Sequence, residues 1–102
     1  MSSLHTVNKS PFDRPSLSSA LGHARSGDAV LLIEDGVVGG RKGSASADAI
    51  AKALGSCKVY ALSSDLSARG MTADDLVPGV ETVDYAGFVD LAAAHERTVA
   101  WL

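Results

Sequence analysis

The residues "DAVLLIE" at 28–34 constrain the fold of this 102-residue chain more than any other stretch. They form a short block of Val, Leu and Ile between the turn-forming residues "SGD" and "DGVVGG". A short apolar run bounded by turn signals is typical of a strand buried on both faces. Such strands occur in parallel sheets that helices cover on both sides. The block therefore predicts a central strand of a parallel sheet.

Further strands and helices alternate along the chain. Strand character occurs at 4–8, 58–62, 80–85 and 98–102, and helical character at 15–24, 47–54 and 85–96, where apolar residues recur at helical spacing. Strands that alternate with helices indicate parallel pairing with right-handed crossovers. The sequence predicts one α/β domain over residues 1–102, with a five-stranded, mostly parallel sheet and helices on both faces.

Two stretches have no regular pattern. Residues 36–47, "GVVGGRKGSASA", are rich in Gly and small polar residues, and we expect a mobile loop that leads into the helix at 47–54. Residues 63–79 are expected to contain at most a short helical turn before a turn at Pro78-Gly79. Neither stretch divides the chain into two domains.

Charge and cysteine content limit the functional class. The chain has 9 Lys and Arg against 12 Asp and Glu, and no segment gathers the basic residues, so direct nucleic-acid binding is not expected. One cysteine cannot form an intramolecular disulfide, and we see neither a signal peptide nor an apolar run that could span a bilayer. We expect a soluble, cytoplasmic protein.

The junction "NKSPFDRPS" at 8–16 has two interpretations. Pro11 keeps Ser10 out of helical geometry and Pro15 suits the first turn of a helix, so the junction is explained as a structural loop. Asn8, Lys9 and Ser10 nevertheless follow the first strand, where open α/β sheets place ligand crevices. A binding edge at these three residues stays open.

The Gly-rich segment 36–44 resembles a phosphate-binding loop only superficially. Gly39-Gly40 is followed by Arg41, Lys42 and Gly43, whereas a Walker-type loop needs the lysine directly after the second glycine, followed by Ser or Thr. The dinucleotide pattern G-x-G-x-x-G is absent as well. No nucleotide or other cofactor is predicted.

Cys57 is the single candidate nucleophile. It precedes the strand at 58–62, and Lys58 beside it would favour a thiolate. It lies, however, at the amino edge of that strand, which in α/β sheets is remote from ligand crevices. We predict a packed cysteine that behaves as a small hydrophobe, with sulfur carriage as the competing hypothesis.

The histidines and two aspartates allow only structural predictions. His5, His23 and His95 lack the spacing of a metal site, and His23 and His95 lie near predicted helix ends, where a cap or dipole role is expected. No metal is predicted. Asp35 and Asp65 each follow a strand, so they either face a crevice or cap the next turn.

Five segments together resemble the DsrH/TusB family. They are "LHTVNKSPF", "GDAVLLIEDGV", "KVYALSSDLSARG", "VDYAGFVDL" and the terminal "AWL", and in this order they cover nearly the whole chain. The resemblance implies the smallest of three related subunits in a hexamer with two copies of each, DsrE, DsrF and DsrH or TusD, TusC and TusB. It implies a sulfur relay in which a persulfide on a DsrE/TusD cysteine passes toward DsrC/TusE. That relay serves oxidative sulfur metabolism or 2-thiolation of the tRNA wobble uridine.

One departure from the family bears on chemistry. Some members carry a cysteine in the first helix, within a segment like "SLSSALGHA", and the corresponding residue here is Ala20. Alanine cannot form a thiolate, and Cys57 does not match that position. The resemblance thus implies an accessory subunit that is not catalytic alone. The competing function is a stand-alone small-molecule-binding α/β enzyme that uses the loops after strands 1 and 2.

Trp101, next to the last residue, is the only tryptophan in the chain. A large aromatic side chain at a terminus needs a surface to cover it. We expect the helix at 85–96 and the strand at 98–102 to bury either a subunit interface or the last face of the sheet. The sequence does not distinguish between them.

Overall fold

A computed structural model of the chain describes residues 2–102, and its centre is a five-stranded sheet. The strands are β1 (Ser3–Val7), β2 (Ala29–Leu32), β3 (Lys58–Leu62), β4 (Glu81–Val83) and β5 (Arg97–Trp101), in the order β4-β3-β2-β1-β5. All four neighbouring pairs are parallel. The predicted buried block is indeed central, because all four residues of β2 are buried. The α/β fold with a parallel sheet is confirmed.

Helices cover the sheet unequally. Helices α1 (Ser16–His23), α2 (Ala47–Ala53) and α3 (Ser63–Ala68) pack on one face, where Leu17, Ile50 and Leu66 join Val30 and Leu32 in the larger core. Helix α4 (Tyr85–Ala94) alone covers the other face. There, a small core of Leu4, Ala29 and Leu31 meets its Phe88, Leu91 and Ala92.

This asymmetry follows from the chain path. From β1 to β4 each connection steps one strand in the same direction, whereas α4 returns across the whole sheet to place β5 beside β1. A right-handed crossover in the reverse direction must run over the opposite face. The connection that leaves β3 therefore runs over one face of the sheet and the connection that leaves β4 over the other. The carboxyl ends of these two neighbouring strands form the topological switch point of the sheet.

The prediction of a mobile loop at 36–47 is wrong for its first half. Glu34–Gly40 form a 3-10 helix in which Gly36, Val37, Gly39 and Gly40 are buried. The glycines serve close packing, because a Cβ on Gly36 would overlap the carbonyl group of Val7 and one on Gly39 would press on Leu17. Beyond it, the Lys42 N–H donates to the Asp75 carbonyl at 2.8 Å, so this part is tethered as well.

Residues 63–79 hold more structure than the predicted helical turn. The six-residue helix α3 starts directly after β3, and its Leu66 is buried in the larger core. A 3-10 turn at Ala73–Asp75 follows, closed by a capping box between Thr72 and Asp75. Burial of Leu66 stabilises a helix that is too short to be stable by itself.

Candidate functional site

The loops after β1 and β2 meet at the carboxyl edge of the sheet. Lys9, Asp13, Arg14 and Asp35 line a shallow, mostly polar depression of about 310 Å³. Two of the predicted crevice residues, Lys9 and Asp35, are therefore brought together. Ser10 instead builds the turn, since its carbonyl accepts from the N–H groups of Asp13 and Arg14 at 3.0 and 3.1 Å.

Asn8 is the predicted edge residue whose role the contacts do not explain. Its Oδ1 atom is buried and has no hydrogen-bond partner among residues 2–102. Buried side-chain oxygens in proteins are usually hydrogen-bonded. Asn8 does not, however, line the depression formed by Lys9 and Asp35.

The two aspartates after β2 and β3 are used in bonds between loops and do not cap the turns that follow them. Asp35 Oδ1 accepts from Arg69 Nη2 at 2.8 Å and from its Nε at 3.1 Å. Asp65 Oδ2 accepts from the Glu34 N–H at 2.7 Å. That bond holds Glu34 at a φ of 50°, in the left-handed region that non-glycine residues seldom occupy. The expected caps are thus replaced by links from α3 to the loop after β2.

Cys57 lies at the opposite edge of the sheet. It is 6% exposed, and its Sγ donates to the Arg25 carbonyl at 3.2 Å. The full length of β3 separates Cys57 from the carboxyl edge of the sheet. At 3.3 Å per residue, this distance is roughly 16 Å. Cys57 is buried, as a packed cysteine would be, and it shares no pocket with Lys9 or Asp35.

Ala20 is fully buried on α1, within the larger core. Its methyl group faces the sheet and not the surface. A cysteine at this position would be buried. The alanine that is present contributes only hydrophobic contacts.

A partly buried chain of hydrogen bonds links Asp28, His5 and Trp101. Trp101 Nε1 donates to His5 Nδ1 at 3.0 Å, which leaves the proton on His5 Nε2 to donate to Asp28 Oδ2 at 2.9 Å. The Trp101 ring also lies 5.1 Å from the His23 ring of α1. Trp101 is half-buried against the larger core, so intrachain packing accounts for much of its surface.

Asp28 is the member of this chain that sequence reasoning missed. Burial raises the pKa of Asp28, but hydrogen bonds from the Arg25 N–H, the His5 ring and the Ser3 N–H outweigh burial and lower it to about 2. The sequence signal is an aspartate at the start of a buried strand, and the apolar pattern around it indicates only the strand. An aspartate and a histidine meet here, yet the third member is a tryptophan N–H, which cannot act as a nucleophile.

The other histidines behave as predicted. His23 Nδ1 donates to the Ser19 carbonyl at 2.7 Å and His95 Nδ1 to the Leu91 carbonyl at 2.8 Å. Both rings thereby satisfy carbonyl groups in the last turn of their helices. Within residues 2–102, no group of three or more His, Cys, Asp and Glu side chains is arranged to hold a metal ion.

The carboxyl edge therefore carries charged side chains around a shallow depression. No helix within residues 2–102 combines the length and apolar character that a membrane span requires. The fold and these surfaces define the chain as a small α/β protein built on a parallel sheet.

Comparison with known proteins identifies the family. The chain belongs to the DsrH family, since the family described as "DsrH like protein" matches residues 9–98. It is 41% identical to Protein TusB of Erwinia tasmaniensis over 98 residues, covering 96% of this chain and 99% of that protein. It is 37% identical to Protein TusB of Escherichia coli strain SMS-3-5 / SECEC, with the same coverage.

Solved structures show the same fold at lower identity. The ychN protein from E. coli has a TM-score of 0.79 and 16% identity over 98% of this chain and 99% of that chain. A protein of unknown function from Methanobacterium thermoautotrophicum has a TM-score of 0.74 and 21% identity over 97% of both chains.

Proposed function

We propose that this chain is an accessory subunit of a cytoplasmic sulfur-relay complex of the DsrEFH or TusBCD type. The match to the DsrH family across residues 9–98 carries the proposal. In such a complex the chain would assemble with DsrE/TusD-like and DsrF/TusC-like subunits in a hetero-hexamer. It would hold the assembly together while a partner carries the sulfur.

The placement of the sulfur-bearing residues supports an accessory role. In a persulfide relay, the acceptor thiolate attacks the outer sulfur of the donor persulfide and the donor leaves as a thiolate. A carrier thiol must therefore be accessible to both proteins. Cys57 is buried and bonded to the Arg25 carbonyl, and Ala20 has no sulfur. The relay would thus run from a cysteine of the DsrE/TusD-like subunit to a DsrC/TusE-like acceptor.

The names of the relatives favour tRNA wobble-uridine 2-thiolation over sulfur oxidation as the pathway, because both proteins described above are called TusB. This chain itself is not expected to contact tRNA. Its formal net charge is -3, whereas nucleic-acid affinity depends on basic residues that neutralise phosphates.

Co-expression with the two partner subunits tests the assembly. We expect the chain to co-purify with DsrE/TusD-like and DsrF/TusC-like subunits, and size-exclusion chromatography with light scattering to give the mass of a hexamer. A chain that elutes alone in the presence of both partners would contradict the proposal.

Substitution Cys57→Ser tests the absence of a relay thiol in this subunit. We expect the complex with the serine variant to pass sulfur from a persulfide-loaded DsrE/TusD-like cysteine to a DsrC/TusE-like acceptor at a rate close to wild type. The matched control removes the cysteine of the DsrE/TusD-like subunit and should abolish transfer. A sulfur adduct on Cys57 in mass spectra, together with lost transfer in the serine variant, would make this subunit a carrier.

A further inference from the structure

Helix α4 is apolar around its circumference, yet none of its ten residues is buried. Asp90 is the only charged residue in its sequence "YAGFVDLAAA". Tyr85 and Val89 lie one turn apart and are 68% and 60% exposed. A helix without a polar face is normally covered by protein. Among residues 2–102, α4 is covered only on the side that meets the sheet.

A crevice opens beside the exposed start of this helix. Ile33, Leu62 and Phe88 supply its apolar surface, and Glu34, Asp65 and Tyr85 line it as well, around a volume of about 350 Å³. We call it the α4 crevice. It lies where the connections leaving β3 and β4 diverge, which is the position where α/β sheets form clefts.

The charge around the α4 crevice is acidic. Glu34 is exposed, and its carboxylate has no ion pair or side-chain hydrogen bond in the described part of the chain. Asp65 is partly neutralised, since Arg69 Nη1 lies 3.9 Å from its Oδ1. Asp90 does not line the crevice but is exposed on the same helix next to Val89, and no Lys or Arg lines the crevice.

This charge pattern discriminates between two occupants. A second copy placed symmetrically on this surface would bring the same carboxylates together and be repelled. A different protein with an apolar side chain flanked by Lys or Arg would fill the crevice and pair with Glu34 and Asp90.

We propose that the α4 crevice and the exposed Tyr85 and Val89 form the docking surface for a different subunit with a basic, apolar-centred surface. The inference rests on the proposed function, because the occupant is one of the partner subunits of the assembly. It adds which face of this chain is used and the chemistry of the face that meets it.

Variants on the helix test the surface with the co-expressed DsrE/TusD-like and DsrF/TusC-like subunits as probes. We expect Val89→Asp to weaken binding about tenfold or more, since it places a charge in the apolar centre of the contact. Asp90→Lys should weaken binding and reduce its dependence on salt. The matched control is Phe12→Asp, because Phe12 is 77% exposed on the loop before α1 and outside this surface. It should bind within about twofold of wild type.

The outcomes separate the surface from the function. Circular dichroism should show that all three variants fold, since each changes an exposed side chain. If wild type assembles and both helix variants bind as tightly as it does, the docking surface is wrong while the proposed function stands. If wild type binds neither partner, both fail. If wild type forms a dimer with itself that Val89→Asp dissociates, the occupant is a second copy and the charge argument is wrong.

Discussion

Asp28 illustrates how one carboxylate organises two neighbouring strands. Its oxygens accept hydrogen bonds from the Ser3 N–H at 2.9 Å, the Arg25 N–H at 3.0 Å and the His5 ring at 2.9 Å. These donors belong to β1 and to the turn before β2. Because a carboxylate accepts more strongly than a carboxylic acid, the ionised form of Asp28 stabilises the folded chain.

The pH dependence of stability should reveal this carboxylate. The pKa of Asp28 is about 2 in the folded chain against an ordinary value of 3.8. A lowered folded pKa means stability that is present above the ordinary value and is lost as the pH falls toward the folded value. We expect urea unfolding to show a loss of stability between about pH 4 and pH 2.

Asp28→Asn supplies the control for that measurement. The amide keeps the shape, but its nitrogen cannot accept a hydrogen bond, so at least one of the three donors loses its acceptor and the variant should be less stable than wild type at pH 6. Its stability should also fall less than that of wild type from pH 4 to pH 2. If the free energy of unfolding falls equally with pH in the two proteins, the acid sensitivity belongs to other carboxylates.

The 3-10 helix after β2 depends on glycine for close contact with β1. Gly36 has no positive φ, so the requirement is the space beside the Val7 carbonyl and not an unusual backbone conformation. We expect Gly36→Ala to destabilise the chain by about 2 kcal/mol or more, because backbone must move to admit the methyl group.

Gly22→Ala is the matched control in α1. A Cβ at Gly22 meets no atom within 4 Å, and the residue lies inside a helix. Alanine favours the helix over glycine by up to about 1 kcal/mol, so this variant should melt at a higher temperature than wild type. Thermal melts that move in the same direction for both variants would contradict the packing explanation for Gly36.

The molecule as a whole is stabilised mainly on one side. The larger core lies between the sheet and helices α1 to α3, whereas the smaller core of Leu4, Ala29 and Leu31 is closed by α4 alone. Regions with few buried apolar contacts open at lower free energy than the rest of a domain. Partner binding should stabilise that region most.

Amide hydrogen exchange can measure this difference. In the isolated chain, we expect the amides of α4 to exchange faster than those of the central strands β1, β2 and β3. In the complex with the partner subunits, protection should increase most in α4. Equal protection of α4 and β2 in the isolated chain, or no gain on assembly, would show that α4 is already stably packed.

Much of the fold was predictable because apolar residues that are neighbours in the sequence are also the residues that the sheet buries. The block at 28–34 is apolar on both faces of its strand, and the structure places β2 between β1 and β3. Helix ends were also readable, as in α1, which starts at Ser16 directly after Pro15. The presence of Lys9 and Asp35 in one depression followed from the rule that loops after parallel strands share an edge.

Other features could not be read in this way because their causes are distant in the chain. The glycines at 36–40 looked flexible, since glycine has the same local signature in a mobile loop and in a tight contact. Only the position of Val7 and Leu17 against them decides between the two. The partner of Asp35 is likewise Arg69, 34 residues away.

The amino-acid sequence by itself determined the alternation of strands and helices, the family, and the absence of any thiol other than Cys57, because each depends on residue type and order. The tertiary structure alone decided that Trp101, His5 and Asp28 form one chain of hydrogen bonds and that Cys57 faces the Arg25 carbonyl. It alone decided that α4 keeps an exposed apolar face, since burial depends on which helices the crossovers send to each side of the sheet.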